Sequence, residues 1–504
     1  MDEHGSRRYD YISDMALNNI ITFYGGKQMS SSSQARQRIN ALLDENSFVE
    51  IGALVTARNT DFNLKQEETP SDGVVTGYGV IDGNLVYIYS QDASVLGGSI
   101  GEMHAKKIVR LYDLAIKTGS PVIGLIDSTG IRLQEATDAL NAFGEIYLKE
   151  VEASGVVPQI TVVFGSCGGG LSLIPSLTDF TFMEADKARL FVNSPNALEG
   201  NYKEKCDTSS AKWQSSETGN VDVVADEATI YAQVRELVSL IPSNNEDGDS
   251  YQECADDLNR VCENLDGATA DPSIIARQIS DNGVFFETKR EFAKDMVTGF
   301  IRLNGATVGF VANRTAVFDE NGKEAEKFTD KLSAKACEKA AEFVNFCDAF
   351  DLPVLTLTNA TGFGTSKCDE RHVAKAAGKL VYALANATVP KVNLVTGKAF
   401  GSAYVIMNSR AIGADVTFSW PDAQIGTMDA NLAAKIMCDG KDAETVSKAA
   451  SDYAALQNNV KSAAARGYVD EIVEPADTRK YVIGAFEMLF TKRDERPAKK
   501  HGTV

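Results

Sequence analysis

Two glycine-rich stretches hold the residues best suited to chemistry. Ser166-Cys167-Gly168-Gly169-Gly170 follows an apolar run at 159–164, and Lys398-Ala399-Phe400-Gly401-Ser402-Ala403 follows another at 392–395. Where a buried strand passes through glycine into a helix, bare backbone N–H groups face outward at the positive end of the helix dipole. That makes a ready anion site. The chemistry it suits is stabilisation of an oxyanion by main-chain donors, here from Gly169-Gly170 and Ser402-Ala403. Gly130 and Gly362 end another strand in each half and are candidates for the same cradles. Glycine at such turns also serves close packing of helix on strand, and one turn alone would favour that reading. Two turns per half, at matching positions, favour paired cradles.

Other catalytic arrangements are missing. No G-x-x-x-x-G-K-[ST] phosphate loop and no G-x-S-x-G elbow occurs. Gly77-Tyr78-Gly79-Val80-Ile81-Asp82-Gly83 misses the dinucleotide spacing by one residue and runs into a hairpin, not a helix. His4, His104, His372 and His501 offer no metal-ligand spacing. His104, in Gly101-Glu102-Met103-His104, reads as a capping or packing residue rather than a base. Asp127 ends its strand as a catalytic carboxylate might be expected to, but Asn359 stands at its repeat position, so it reads as structural. A hydratase or hydrolase would need a positioned acid or base, and none accompanies the turns.

The turns are positioned by a chain that repeats itself. Ser120-Pro121-Val122-Ile123-Gly124-Leu125-Ile126-Asp127-Ser128-Thr129-Gly130 aligns with Leu352-Pro353-Val354-Leu355-Thr356-Leu357-Thr358-Asn359-Ala360-Thr361-Gly362. Pro121, Gly130, Pro158, Gly165 and Gly169 fall on Pro353, Gly362, Pro390, Gly397 and Gly401, every pair 232 residues apart. A third pair of segments, near 77–95 and 299–318, aligns at an offset closer to 222, with Asp82-Gly83 or Asn304-Gly305 as a two-residue hairpin turn. Each half then reads as hairpin, amphipathic helix (102–118 or 334–350), buried strand (122–126 or 354–357), glycine turn and helix, then a second strand, turn and helix. Strands alternating with helices imply βαβ units. The expected class is α/β, twice over.

At 504 residues the chain exceeds what one core accommodates, roughly 250–300 residues. The repeat divides it into 1–243 and 268–504. Between them, residues 244–267, opening with Asn244-Asn245-Glu246-Asp247-Gly248-Asp249, are strongly acidic and read as a linker with one short helix. A net charge of −20 argues against a nucleic-acid partner. No apolar run approaches the ~20 residues needed to span a bilayer. Met1-Asp2-Glu3-His4-Gly5 lacks the basic-then-apolar pattern of a signal peptide. Eight scattered cysteines, with no zinc or disulfide spacing, suit a reducing compartment. A cytoplasmic protein without a metal site is expected.

Further stretches carry a resemblance. Gly97-Gly98-Ser99-Ile100-Gly101-Glu102-Met103-His104, Ala153-Ser154-Gly155-Val156-Val157-Pro158-Gln159-Ile160 and Leu177-Thr178-Asp179-Phe180 are similar to the carboxyltransferase subunits of biotin-dependent acyl-CoA carboxylases and decarboxylases. These include the propionyl-CoA carboxylase β subunit, the methylmalonyl-CoA carboxyltransferase large subunit and the methylmalonyl-CoA decarboxylase α subunit. Phe346-Cys347-Asp348-Ala349-Phe350, Ala465-Arg466-Gly467-Tyr468-Val469-Asp470 and the tail at 492–502 match as well, and the similarity covers about residues 36–504.

The resemblance implies a tandem duplication of crotonase-like (ClpP/crotonase) ββα spiral domains. It implies that the N-terminal half of one subunit binds acyl-CoA while the C-terminal half of another binds biotin. The implied reaction moves a carboxyl group between carboxybiotin and the α-carbon of a short acyl-CoA, of the propionyl-CoA and methylmalonyl-CoA type. In the family, carboxybiotin releases CO2, the ureido anion takes the α-proton of the thioester, and the enolate attacks CO2. By position, Gly169 and Gly170 would hold the thioester enolate, and Ser402 and Ala403 the ureido oxygen. Gly130, Gly362 and Phe363 are weaker candidates for the same cradles, and Val405 falls where short-chain members often carry Asp near the acyl pocket. The chain has no Met-Lys-Met biotin-attachment sequence and no nucleotide motif. Biotin would therefore arrive on a separate biotin carboxyl carrier protein. Further partners would be a biotin carboxylase subunit or the membrane subunits of a sodium-pumping decarboxylase. A shared site implies a homo-oligomer, a dimer or a hexamer. The direction of transfer stays open, as does a non-catalytic structural paralogue.

The chain departs from the family pattern mainly in the acyl-CoA half. Thr129 replaces a glycine, and Thr361-Gly362-Phe363 stands for Pro-Gly-Phe. Phe191-Val192-Asn193-Ser194-Pro195-Asn196, running into 201–216, lacks the expected Gly-Gly-Ala-His signature. The basic helix before Ala35-Arg36-Gln37-Arg38-Ile39 is largely missing.

Overall fold

Both expected hairpins form, because the Asx-Gly dipeptides adopt the backbone such turns require. Asp82 (φ 49°) and Gly83 (φ 88°) are left-handed, and so are Asn304 (φ 51°) and Gly305 (φ 81°). In the computed structural model residues 33–58, 69–246, 250–319 and 321–496 are described. The sequence readings at Met1–Gly5, His4, residues 247–249, and the tail from Pro497 through His501 lie outside them. Two compact units divide at residues 247 and 248.

In the first unit β1 (Val49–Ile51) lies beside β2 (Val74–Ile81), which turns back antiparallel as β3 (Asn84–Gln91). Parallel strands follow: β4 (Val122–Ser128), β5 (Gln159–Gly168), β6 (Phe180–Glu184) and β8 (Val223–Ala225), with β7 (Arg189–Phe191) attached to the far end of β5. The second unit repeats the plan. Here β9 (Phe285–Thr288), β10 (Met296–Leu303) and β11 (Ala306–Asn313) are antiparallel. A small hairpin, β12 (Ala316–Phe318) with β13 (Glu324–Lys327), and the pair β14 (Lys331–Leu332) with β16 (Gly362–Phe363) stand apart from the main sheet. The sheet continues through β15 (Val354–Ala360), β17 (Lys391–Phe400), β18 (Val416–Ser419) and β20 (Glu471–Ile472), with β19 (Gln424–Gly426) on β17.

Parallel neighbours need long crossovers, and helices supply them. Glu102–Thr118 joins β3 to β4, and Ala136–Ala153 joins β4 to β5; their counterparts are Ala334–Ala349 and Lys367–Asn386. The Glu102–Thr118 helix turns Ile108, Leu111 and Ala115 onto Val122, Ile126 and Val163, which are buried in one core. In the second unit Leu355, Leu357, Val392 and Leu394 meet Val482 and Ile483 of the Thr478–Leu489 helix.

One device recurs at the repeat spacing. Lys107 and Lys339, 232 residues apart, are buried lysines that clamp carbonyls near the hairpin entry. Lys339 donates to the carbonyls of Lys289, Phe292 and Met296 at 2.8, 2.9 and 2.7 Å. Lys107 donates to the Ser71 carbonyl and hydroxyl at 2.9 and 2.6 Å and to the Val74 carbonyl. Burial lowers both ammonium groups, to about 7 for Lys339 and about 8 for Lys107.

Two expectations change. The run Ser166-Cys167-Gly168, read as a turn, is the last stretch of β5, pairing with Arg189, Leu190 and Phe191 of β7. Strand β17 likewise runs through Phe400 because β19 pairs with residues 398–400. A second partner strand satisfies the backbone there and outweighs the weak strand preference of glycine. The acidic stretch is anchored from Ser250 onward in the second unit. Gln252 N–H donates to Gly305 O at 2.9 Å, and Cys262 and Leu265 enter the core. Hydrogen bonding to Arg260 draws the Asp256 carboxyl down to about 2. Its regular structure is a single 3-10 turn at Asp266–Ala268.

Candidate active site

The first cradle forms where β5 ends. Gly169 (φ +64°) turns the chain, and a 3-10 turn Gly169–Leu173 leads into the Ile174–Leu177 helix. The opening N–H groups of such an element have no carbonyl inside it, and no side chain caps them. Ser172 Oγ instead fixes the Gly169 carbonyl from behind at 2.7 Å. A Cβ on Gly169 would meet nothing within 4 Å, so its outer face is open. One residue earlier the ring of Phe191 covers Gly168, where a Cβ would lie 2.6 Å from it.

Gly130 reaches this site, where its missing Cβ would stand 3.5 Å from the Gly168 carbonyl. Its N–H, however, points to Ser128 Oγ at 3.1 Å, so Gly130 shapes the cradle more than it donates. Phe191, whose ring covers Gly168, also lines a cavity of about 560 Å³ with Pro195, Asn201, Tyr202 and Lys205 among others.

The second cradle opens the same way. Gly401 (φ +60°) follows β17 and opens the Gly401–Ile406 helix, again without a side-chain cap. Ser402 is exposed, Ala403 is buried and Val405 is half-buried. Gly401, Ser402 and Val405 line a cavity of about 460 Å³ with Tyr404, Tyr453, Gln457, Arg466 and Tyr468. Gly362 and Phe363 pack against this helix as β16, the counterpart of the Ile100–Ile131 bridge in the first unit. Gly169 corresponds to Gly401, Gly170 to Ser402 and Leu171 to Ala403 at the 232-residue spacing. The pairs Gly169-Gly170 and Ser402-Ala403 therefore stand one residue out of step.

Behind each turn a polar side chain fills the place of a missing Cβ. Asp127 Oδ1 would lie 1.9 Å from a Cβ on Gly165, and Asn359 Oδ1 2.4 Å from one on Gly397. Asp127 is paired with Arg38 at 2.9 Å, while Asn359 accepts from Lys398 N–H at 2.9 Å. Both are supports for the strand ends. His104 is also a support: its Nδ1 lies 2.9 Å from the Asp72 carbonyl and its Nε2 3.3 Å from Gln91 Nε2. Burial, reinforced by Arg132, holds the ring well below the usual imidazole range, so it stays neutral.

Sequence reasoning missed several contributors. Arg132, fully buried, bonds Asp72 at 2.5 Å, Glu135 at 2.8 Å and the Ser99 carbonyl at 2.7 Å, fixing the loop after Gly130. Its spacing from Glu135 was legible; its link to Asp72, 60 residues away, was not. Tyr147, whose hydroxyl donates to Gly170 O at 2.6 Å, left no local signal either. Arg466 and Tyr468 lie in a matched stretch but had no assigned role until they were placed around Ser402.

A carboxyl transferase domain family model matches residues 28–504. The propionyl-CoA carboxylase beta chain of Roseobacter denitrificans is 40% identical over 485 residues, 93% of each chain. The methylmalonyl-CoA decarboxylase subunit alpha of Propionigenium modestum is 38% identical over 508 residues, covering 97% of this chain and 96% of its own. Among solved structures, transcarboxylase 12S, described as a hexamer with methylmalonyl-coenzyme A and methylmalonic acid bound, matches with a TM-score of 0.85. Identity there is 38%, over 93% of this chain and 91% of the other.

Proposed function

Because the chain belongs to the carboxyl transferase family, we propose that it moves a carboxyl group between carboxybiotin and the α-carbon of a short acyl-CoA, with propionyl-CoA and methylmalonyl-CoA as the pair. Its two crotonase-like units divide the work: the first takes the thioester, the second takes biotin. The observation that supports this reading is the recurrence, in both units, of an uncapped helical start after a left-handed glycine at the end of a parallel strand.

In the first unit the N–H groups of Gly169 and Gly170 hold the thioester oxygen as negative charge builds on it. Donors of this kind are fixed before the reaction, and each is typically worth ~10²–10³ in rate. The neighbouring cavity, with Lys205 and Arg189 at its rim, takes the CoA body. In the second unit the residues fit a neutral bicyclic ring with one polar oxygen: three tyrosines and Val405 offer apolar walls, and the N–H groups of Ser402 and Ala403 would hold the oxygen. Biotin, when bound there, supplies the carboxyl group and takes up the α-proton. Neither cradle contains a side-chain base, and a reaction in which the proton passes between the two reactants needs none.

A separate biotin carboxyl carrier protein and a homo-oligomer, dimer or hexamer, complete the proposal. Among the described residues no helix is long and apolar enough to cross a membrane. A decarboxylase complex would therefore contribute its own membrane subunits. The similarity to a decarboxylase alpha subunit supports that second reading, the same half-reaction run toward loss of CO2.

The test is carboxyl transfer by the purified chain to free biotin or a biotinylated carrier domain, from malonyl-, methylmalonyl- or glutaconyl-CoA. Methylmalonyl-CoA is the expected donor, with transfer abolished by Gly169→Val or Ser402→Trp. Ala403 is too deeply buried for a bulky replacement to be informative. No transfer from any donor, together with no thioester binding by calorimetry, would make the chain a structural paralogue.

A further inference from the structure

We propose that Tyr147 is a positioning residue that locks the Gly169-Gly170 turn from outside. The inference rests on the assignment of that turn to the thioester. Two adjacent glycines give the turn the largest backbone freedom the code allows, and ordering them costs more than ordering any other pair. A donor that must be aimed before the reaction needs that freedom removed by something else.

Ser172 Oγ restrains the Gly169 carbonyl from within the turn, and Tyr147 restrains the Gly170 carbonyl from outside it. The Tyr147 hydroxyl donates to the Gly170 carbonyl at 2.6 Å. The same oxygen would stand 3.0 Å from a Cβ on Gly170, so it fills the space a side chain would have held. The ring is held in turn. It leans on Phe143, one turn earlier on the Ala136–Ala153 helix, with centroids 6.0 Å apart, and Phe143 is buried in the core. A line of contacts thus runs from the core through two rings to the carbonyl of the turn. Fixing the Gly170 carbonyl sets ψ of that residue and orients the Gly170–Leu171 peptide, so it restrains the turn from the side after the donors rather than gripping their own peptides. Partial burial raises the phenol pKa, so the donor keeps its proton across neutral pH.

The second unit does without this device. At the repeat position stands Lys379, whose ammonium turns to Glu338 at 3.4 Å. There Ser402 replaces the second glycine, and a Cβ on Gly401 would meet the Thr427 carbonyl at 3.1 Å, so the turn is confined by its own residues and neighbours. The hydroxyl is present where the backbone is loosest.

Tyr147→Phe keeps the ring and removes the hydrogen bond. In the full chain, supplied with biotinylated carrier domain, kcat for carboxyl transfer should fall about fivefold, as expected for loss of one ordinary hydrogen bond. KM for the CoA thioester should stay within about twofold, since ground-state binding is not what the bond serves. The melting temperature should stay within a few degrees, and amide exchange at residues 169–171 should quicken. An unchanged kcat in Tyr147→Phe, where Gly169→Val abolishes transfer, would overturn the positioning role and leave the site assignment standing. A raised KM with kcat intact would also overturn it, by making Tyr147 a direct substrate contact. Full transfer in Gly169→Val would instead sink the site assignment on which the proposal rests.

Discussion

Glu150 lies on the inner face of the Ala136–Ala153 helix, fully buried, with neither carboxyl oxygen in a hydrogen bond. Burial pushes its pKa well above the ordinary 4.5. The folded chain therefore keeps this carboxyl protonated at pH values where the unfolded chain has released the proton. With the folded pKa raised, the contribution to stability is fully present below about pH 4.5 and is lost as pH climbs toward the folded value. The loss runs at about 1.4 kcal/mol per pH unit. Glu150→Gln keeps the shape and removes the titration. Between pH 5 and pH 7 the wild type should lose stability relative to the variant, the opening equilibrium rising by up to about tenfold per pH unit until the folded-state pKa is reached. Hydrogen exchange by mass spectrometry, on peptides from the Ala136–Ala153 helix and β4, reads this directly. Comparing the two proteins at the same pH cancels the intrinsic pH dependence of exchange. Protection ratios that stay level from pH 5 to pH 7 would refute the reasoning, because they would mean that folding does not shift this carboxyl.

Gly169→Val should leave a folded protein that has lost at least about a hundredfold in carboxyl transfer, because a Cβ at this position meets no atom within 4 Å and the added methyls stand over the donors. Left-handed strain should cost about 2 kcal/mol, seen as a melting temperature lower by a few degrees. Arg132→Met would leave Asp72 and Glu135 buried without their cation, and the first unit should lose about 3–5 kcal/mol, measured by urea denaturation. Lys339→Met would deprive three buried carbonyls of their donor. At about 1 kcal/mol each, that is about 3 kcal/mol, visible as a shifted urea midpoint with second-unit probes such as Trp420 fluorescence.

What the chain reveals without its structure is uneven, for physical reasons. Hairpins at Asp82-Gly83 and Asn304-Gly305 were legible because the turn residues themselves demand the conformation. The helix at Glu102–Thr118 was legible to its ends, where Gly119 (φ 62°) closes it. The Gly168 end of β5 was not, because glycine says turn locally while β7, some twenty residues later, says strand. The acidic stretch was misjudged for a similar reason. Its composition is that of a tether, yet Cys262 and Leu265 enter the core and backbone bonds such as Gln252 to Gly305 hold it there. Of the candidate site, the left-handed Gly169 and Gly401 were legible through the repeat. The groups that hold them, Tyr147 and the Arg132 network, were not, since each acts through a partner distant in sequence.

The two uncapped turns differ in composition, Gly169-Gly170-Leu171 against Gly401-Ser402-Ala403, while opening the same way. A donor that belongs to the main chain is written in no codon. Any single-residue change except one to proline leaves the N–H in place, so drift in the side chains around these turns cannot delete the groups that would carry the charge. Such change can only tilt or obstruct them. Selection on this chain would therefore act on shape at the turns and leave residue identity comparatively free.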